Sequence, residues 1–356
     1  MFGIYRTLLA LLVVTTHLYG LFYNGIYAVF GFYMLSGYLM TTIMHDTYGY
    51  TIQGGIKYIT NRFLRIFPSY WVAIIITIVL IYIFGEDALS GYQRLMYLPR
   101  TPEEILRNIF LIFDKETSSP RLSPATWALT VEIFFYIMIC LGISKTKHRT
   151  GMWVTLSIIY NMVAIFYIKK NLASLTYSSI MAGSLPFSLG SFLFYLAKER
   201  KFESFFKSTI LLRPEILTAV MFLNMSIFTI FYRKDLPIKS YGFTYGFYIN
   251  LAIVFTLTLS LIYYNGYAKT SNSHDKAIGR LSYPIYLLHW QIGFITSILV
   301  VGRPFHGFST KGFYNLLIAI PTIIGVSFLF SKFIDKPIDR LRVRIKTKRL
   351  IRHTSP

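Results

Sequence analysis

The chain has 356 residues, of which 54% are hydrophobic and 18% aromatic, and its mean hydropathy is +0.51. Only 14% of the residues are charged, against roughly 25% in soluble domains, so the composition excludes an ordinary soluble globular protein. The net charge of +21 does not indicate nucleic-acid binding, because the basic residues are divided among short connections and form no compact basic face. The single cysteine, Cys140, excludes a disulfide framework and a cysteine-rich metal site.

The apolar residues fall into blocks of about 18–22 residues, the length of helix that crosses roughly 30 Å of hydrocarbon. We predict an all-α polytopic membrane protein, with transmembrane residues 1–340 followed by a basic cytoplasmic tail at 341–356 that anchors on anionic lipid headgroups. About ten transmembrane helices are expected, at about residues 5–22, 26–44, 66–84, 123–143, 151–168, 177–197, 212–232, 246–264, 282–301 and 313–333.

The distribution of Lys and Arg predicts the orientation of these helices. With the N-terminus placed in the cytoplasm, the cytoplasmic segments hold 24 of the 36 Lys and Arg residues and the outer segments hold 12. Basic residues are enriched in cytoplasmic loops, so this bias predicts that both termini are cytoplasmic.

The longest outer connection, residues 85–122, contains its own helical signal. Thr101 is a suitable N-cap, Pro102 suits the first turn, and acidic residues follow at once. The apolar side of this helix predicts that it lies on the membrane or covers a cavity. Both a simple covering role and a role in binding an acceptor remain open.

Three ionisable side chains stand inside the predicted spans: His17, Glu132 and His289. A charged group at the centre of a membrane helix costs roughly 2.5–3.5 kcal/mol on insertion scales, so we expect the three to converge in the protein interior. Within the ninth span, Ser282, Tyr286 and His289 follow helical spacing and share one stripe.

The first span carries Arg6 and His17, eleven residues apart. Eleven steps of 100° return to within about 20° of the same azimuth and rise roughly 16 Å, so the two side chains share one face at different depths. Arg62 and Arg65 are three residues apart at the cytoplasmic start of the third span and share a face that suits phosphate. Anchoring of the helix end by positive charge is the simpler reading of that pair.

Taken in order, these motifs resemble the acyltransferase-3 family of integral membrane acyltransferases. The similarity runs over nearly the whole chain, and the ordered set is more specific than any one motif. The matching positions are Arg6-x10-His17, the stretch Phe32–Leu39 with Ser36 and Gly37, Arg62-x2-Arg65 followed by Pro68, Trp127 with Glu132, Ser282-Tyr283…Tyr286-Leu-Leu-His289, and the final Asp335-x-Pro337.

The resemblance implies a ten-helix membrane acyltransferase of the bacterial inner membrane. It implies acetyl-coenzyme A as the donor, entering from the cytoplasm, and no metal. The acceptor would be a hydroxyl of a cell-envelope sugar at the outer side, such as O-antigen, lipopolysaccharide, another surface polysaccharide or a lipid-linked sugar. No periplasmic hydrolase-like domain is expected after the last span.

These inferences combine into a mechanistic hypothesis. Arg6, Arg62 and Arg65 hold the coenzyme A phosphates, while His17 acts as general base or accepts the acetyl group itself. Glu132 orients or stabilises the imidazole. Direct transfer and an acetyl-histidine intermediate both remain open. Supporting positions of the site are expected at Ser36, Trp127, Tyr286 and His289.

Two other classes of function compete with the enzyme. A transporter or flippase of a lipid-linked sugar would also have ten spans with a few buried polar groups, but the sequence shows no internal repeat with broken helices. A non-catalytic scaffold would leave His17 and Glu132 unexplained. Transfer of label from acetyl-coenzyme A to envelope glycan distinguishes the enzyme from both alternatives.

Overall fold

The computed structural model describes residues 1–113, 119–168, 172–234, 245–265 and 273–347. These residues form helices and short connections and contain no β-strand, which confirms the predicted all-α class. The α-helices of the described chain are α1 Phe2–Tyr19, α2 Phe22–Ile43, α3 Ile52–Phe84, α4 Glu86–Tyr92, α5 Pro102–Phe110, α6 Trp127–Cys140, α7 Lys147–Val163, α8 Ser184–Glu199, α9 Glu203–Ser208, α10 Pro214–Arg233, α11 Tyr245–Asn265, α12 Ser273–Val301, α13 Thr310–Phe330 and α14 Lys336–Thr347.

Eight helical segments of the described chain are long and apolar enough to cross a membrane, rather than the ten expected. The two predicted spans that fall short are 123–143 and 151–168, which correspond to α6 with 14 residues and α7 with 17. The helix α6 is short because the chain before it is a single 3-10 turn, Pro124–Thr126. The polytopic membrane class is nevertheless supported, whereas the side on which the termini lie stays a prediction.

The helix α3 departs most from its predicted bounds. It begins at Ile52, fourteen residues before the expected start, and continues for 33 residues, which corresponds to roughly 50 Å. The hydroxyl of Thr51 caps it by accepting a 3.1 Å hydrogen bond from the backbone of Gly54. As a result, Arg62 and Arg65 lie on a continuous helix that extends beyond the hydrocarbon thickness.

Glycines allow the central helices to approach closely. A Cβ atom at Gly190 of α8 would lie 1.9 Å from the carbonyl oxygen of Met34 in α2, and one at Gly37 of α2 would lie 2.2 Å from that of Phe187. Membrane helices associate through such close packing, because lipid supplies no hydrophobic drive between them. The helix α1 lies between α2 and α12 and crosses α12 at Gly3, where it touches the backbone of Asp275.

The outer helix predicted near residue 101 is present as α5. The Thr101 hydroxyl accepts from the backbone of Glu104, and the Glu104 carboxylate accepts from the backbone of Thr101, at 3.2 and 3.1 Å. Hydrogen bonds from the backbone of Arg100 and Thr101 hold the pKa of Glu104 below its usual value. The Trp71 indole of α3 donates to the carbonyl of Ile109, which fixes α5 against the bundle.

The close contact at Gly190 gives a stability prediction. Gly190→Leu should lower the melting temperature in detergent, because the added side chain must separate α2 from α8, an overpacking cost of about 1–3 kcal/mol. Gly325→Leu in α13 is the matched control, since a Cβ atom there meets nothing within 4 Å. Equal melting temperatures for the two variants would show that the α2–α8 contact is looser than described.

Candidate functional site

Two histidines meet in the interior of the bundle, where α1 faces α12. Nδ1 of His17 lies 2.8 Å from Nε2 of His289, and the rings stack with centroids 5.0 Å apart. His289 is fully buried, and His17 is partly exposed. The structure therefore brings together two of the three ionisable groups that the sequence places inside the spans.

The hydrogen bonds specify the protonation of the neutral pair. Nδ1 of His289 lies 2.8 Å from the carbonyl oxygen of Tyr286, which only accepts, so this nitrogen carries a proton. Nε2 of His289 then accepts from Nδ1–H of His17, which places the lone pair of His17 on its own Nε2. That arrangement directs a basic nitrogen away from His289, as a general base or a nucleophile requires.

An aromatic cluster covers the pair on one side. The indole of Trp290 stacks on His17 with centroids 4.9 Å apart, and its edge contacts Tyr92 and His306 at 5.7 and 5.4 Å. His306 belongs to the connection between α12 and α13, and its Nε2 donates to the carbonyl of Tyr92 at 2.9 Å. This connection closes over the end of α1, where the Gly307 backbone donates to Leu18.

Glu132 has partners other than the one we expected. Its carboxylate accepts hydrogen bonds from Ser36 at 3.0 Å and from Tyr136 at 2.9 Å. The residue that orients Nδ1 of His17 is His289, so the proposed Glu132–imidazole contact is replaced by a histidine–histidine contact. The reason is the depth at which Glu132 lies in the bundle. It lines a cavity together with Arg6, whereas His17 lies eleven residues further along α1.

That cavity has a volume of about 470 Å³ and opens at the end of the bundle where α1 begins, the side predicted to be cytoplasmic. All three predicted phosphate-binding arginines line it, as do Ser36 and Glu132. Basic residues in the lining outnumber acidic ones by six to three: Arg6, Arg62, Arg65, Lys276, Arg280 and Arg342 against Glu132, Asp275 and Asp339.

Most of the acids of the cavity are already engaged. Asp275 accepts from the amino group of Met1 and from the backbone of Gly3, and Asp339 pairs with Arg342. Within the described part of the chain, Arg6, Arg62 and Arg65 form no ion pair. The cavity therefore presents positive charge that an anionic ligand would neutralise.

A second, narrow cavity of about 60 Å³ continues from this one toward the histidines. The two cavities share five lining residues, and the narrow cavity also reaches Tyr286. The shared residues are Arg6, Phe32, Leu129, Glu132 and Tyr283. Since the carbonyl of Tyr286 accepts from His289, the narrow cavity reaches a direct neighbour of the histidine pair, although neither histidine lines it.

Loop residues 119–126 enter the bundle next to His289. Ser123 donates to the carbonyl of Leu287 at 3.4 Å, and the hydroxyl of Tyr286 donates to the carbonyl of Ala125. Thr77 of α3 donates to the carbonyl of Leu122 at 2.6 Å. Such buried, non-helical backbone is compatible with a membrane only where protein satisfies its hydrogen bonds, as it does here.

Trp127 lies at the boundary between this loop and a third cavity, of about 930 Å³. Its indole ring packs edge-on against Tyr177 at 5.4 Å. The cavity lies between α5, α6 and α7, and its lining mixes apolar and hydroxyl side chains: Leu106, Ile112, Phe113, Thr130, Val131, Tyr160, Ser174, Ser178 and Ser179. The helix α5, with Glu103 and Arg107, forms one wall.

Sequence reasoning missed three residues of the site. Tyr136 follows Glu132 by one helical turn, a spacing that could have identified it. Asn61 and Arg342 contact one another at the mouth of the larger cavity, although 281 positions separate them. No sequence signal links that pair, and Arg342 lies in the segment we assigned to a lipid anchor.

The chain resembles known proteins over nearly its whole length. The family model described as an acyltransferase domain matches residues 4–332. A curated protein of Bacillus subtilis (strain 168), YrhL, is described as a candidate peptidoglycan O-acetyltransferase and is 22% identical over 369 residues. The match covers 98% of this chain and 56% of that relative, so the chain spans only about half the relative's length. No solved structure matches the chain.

His306, in the aromatic cluster that covers the histidine pair, should make the melting temperature depend on pH. Burial lowers the pKa of His306 below 6.5. As the pH falls, the imidazole of His306 therefore takes up its proton in the unfolded chain before it does so in the folded protein. The stability contributed by His306 is full above about pH 6.5 and decreases below it. We expect the melting temperature of the wild type to fall more between pH 7.5 and pH 5 than that of His306→Gln, whose amide can still donate to Tyr92. Parallel curves would contradict this assignment.

Proposed function

This chain belongs to the acyltransferase-3 family of integral membrane acyltransferases, and on that basis we propose that it is an O-acetyltransferase of the bacterial inner membrane. It takes acetyl-coenzyme A from the cytoplasm and acetylates a hydroxyl of a cell-envelope sugar. The observation that carries this proposal is a series of neighbours: a basic cavity, a narrow cavity that adjoins it at Glu132 and reaches Tyr286, and the His17–His289 pair bonded to Tyr286.

The donor half of the proposal rests on charge. Coenzyme A ends in phosphates, and guanidinium groups bind phosphate oxygens through paired, charge-assisted hydrogen bonds. Arg6, Arg62 and Arg65 line the cavity without ion pairs in the described chain, and so favour a polyanion there. The pantetheine arm would extend past Glu132 and Tyr286, along the roughly 16 Å that separate Arg6 from His17 on α1.

The transfer half rests on the basic nitrogen of His17. Nε2 of His17 takes the proton of the sugar hydroxyl while the hydroxyl oxygen attacks the thioester carbonyl. The C–O bond forms, the C–S bond breaks, and the thiolate leaves as the thiol with the proton that His17 held. His289 stabilises the imidazolium of His17 by accepting from Nδ1–H, the role that a carboxylate has in a Ser-His-Asp triad.

The acceptor half rests on the third cavity. The cavity of about 930 Å³ beside Trp127 is large enough for a sugar, and it mixes aromatic rings with the hydroxyl groups that saccharides bind. The description of the Bacillus subtilis relative as a peptidoglycan O-acetyltransferase supports an envelope glycan as acceptor. Glu103 and Arg107 on α5 lie at the edge of this cavity.

Removal of the proposed base tests the reaction. His17→Ala should lower transfer of labelled acetyl from acetyl-coenzyme A to envelope glycan by roughly 10²- to 10⁴-fold, the range for loss of a general base. His148→Gln, an exposed histidine far from the pair in sequence, is the control and should retain activity. Full activity of His17→Ala would refute the role of His17. Movement of a glycan substrate without acetyl transfer in the wild type would instead favour a transporter.

The histidine pair gives a graded prediction. His289→Phe leaves Nδ1–H of His17 without its acceptor and should slow acetyl transfer by about tenfold or more, with the KM for acetyl-coenzyme A unchanged. His289→Gln keeps an oxygen that can accept this hydrogen bond and should be intermediate in kcat. Equal kcat values for the two variants, both folded by melting temperature, would show that His289 only fills space.

A further inference from the structure

One amide at the mouth of the large cavity holds two arginines together. The side-chain oxygen of Asn61 accepts from Arg62 at 2.7 Å and from Arg342 at 3.1 Å. Asn61 is almost completely buried, so both guanidinium groups are directed to one fixed point. The contact joins the cytoplasmic part of α3 to α14.

The charges of this pair are only partly compensated. Arg342 pairs with Asp339, one turn earlier on α14. Arg62 has no carboxylate partner in the described chain: another of its nitrogens contacts the sulfur of Met40 at 3.4 Å, and its buried Nε donates to no described atom. Two neighbouring cations held by one neutral oxygen repel each other, and a bound anion would remove that repulsion.

The position of the pair indicates which anion. Arg62 lies one helical turn before Arg65, roughly 4.5 Å nearer the start of α3. Arg342 lies at the same depth as Arg62, because it donates to the neighbouring residue Asn61. Arg65 instead stacks on Tyr283, a residue shared with the narrow cavity that leads to the histidines. Four of the six cations of the cavity therefore fall into two layers, an inner one with Arg6 and Arg65 and an outer one with Arg62 and Arg342.

Coenzyme A has its phosphates in the matching order. The diphosphate adjoins the pantetheine arm, and the 3′-phosphate is on the ribose at the far end. We propose that Arg62 and Arg342, aligned by Asn61, bind the 3′-phosphate, and that this contact makes the enzyme discriminate coenzyme A from its 3′-dephospho form. The inference rests on the proposed donor, and it assigns Arg342 to substrate specificity instead of lipid anchoring.

The exposure of the arginines on α14 is consistent with a role of Arg342 in the cavity and not at the lipid surface. The side chain of Arg342 is 17% exposed and faces the cavity, whereas Arg340 on the same helix is exposed. A helix that served only to hold anionic lipid would have no need to bury one of its arginines against Asn61. Arg340 therefore provides a control with the same charge on the same helix.

Binding of the two nucleotides tests the proposal. With the full chain in detergent, the affinities of coenzyme A and 3′-dephospho-coenzyme A are measured by calorimetry. The wild type should prefer coenzyme A by roughly 10- to 100-fold, the contribution of charged hydrogen bonds to one phosphate. Arg342→Gln should lose most of this preference through weaker binding of coenzyme A, with 3′-dephospho-coenzyme A unaffected.

The controls separate the alternatives. Arg340→Gln should keep both affinities, and Arg65→Ala should weaken both nucleotides by a similar factor. Retained binding of 3′-dephospho-coenzyme A shows that Arg342→Gln is folded. Equal weakening of both nucleotides by Arg342→Gln, or no preference in the wild type, would overturn the assignment. Absence of any coenzyme A binding by the wild type would instead contradict the proposed donor itself.

Discussion

The hydrogen bond between His17 and His289 is the contact on which the rest of the site depends. The imidazole of His289 is fully buried, so both of its nitrogens need a partner from the protein. The chain supplies a relay from the carbonyl of Tyr286 through His289 to His17. It exists only because α1 and α12 approach closely, with Gly3 of α1 against the backbone of Asp275.

Helix α1 separates two kinds of chemistry along its length. Its first turns face a wide cavity with excess positive charge around Arg6, where a charged nucleotide can be held. Eleven residues later, His17 stacks on Trp290 beside Tyr92 and His306, where we propose that the transfer takes place. A donor that is charged at one end and reactive at the other fits this gradient.

Other buried polar groups are also satisfied by hydrogen bonds within the protein. Glu132 is stabilised by two hydroxyl groups, from Ser36 and Tyr136, and Asp335 accepts from Ser69 at 2.6 Å. The loop before α6 is tolerated at depth because side chains such as Thr77 satisfy its carbonyl groups. The Ser36–Glu132 and Thr77–Leu122 hydrogen bonds thus link separate parts of the chain and help to specify how they pack.

Hydropathy, helical periodicity and capping residues determined the all-α membrane class, the approximate positions of eight of the ten predicted spans, the cap at Thr101 and the shared face of Arg6 and His17. These are local properties, since they depend on spacing within one helix. The pairing of His17 with His289 in place of Glu132 and the meeting of Asn61 with Arg342 were decided only by the tertiary structure. Contacts between residues more than 270 positions apart depend on which helices become neighbours, and no spacing within a helix encodes that choice.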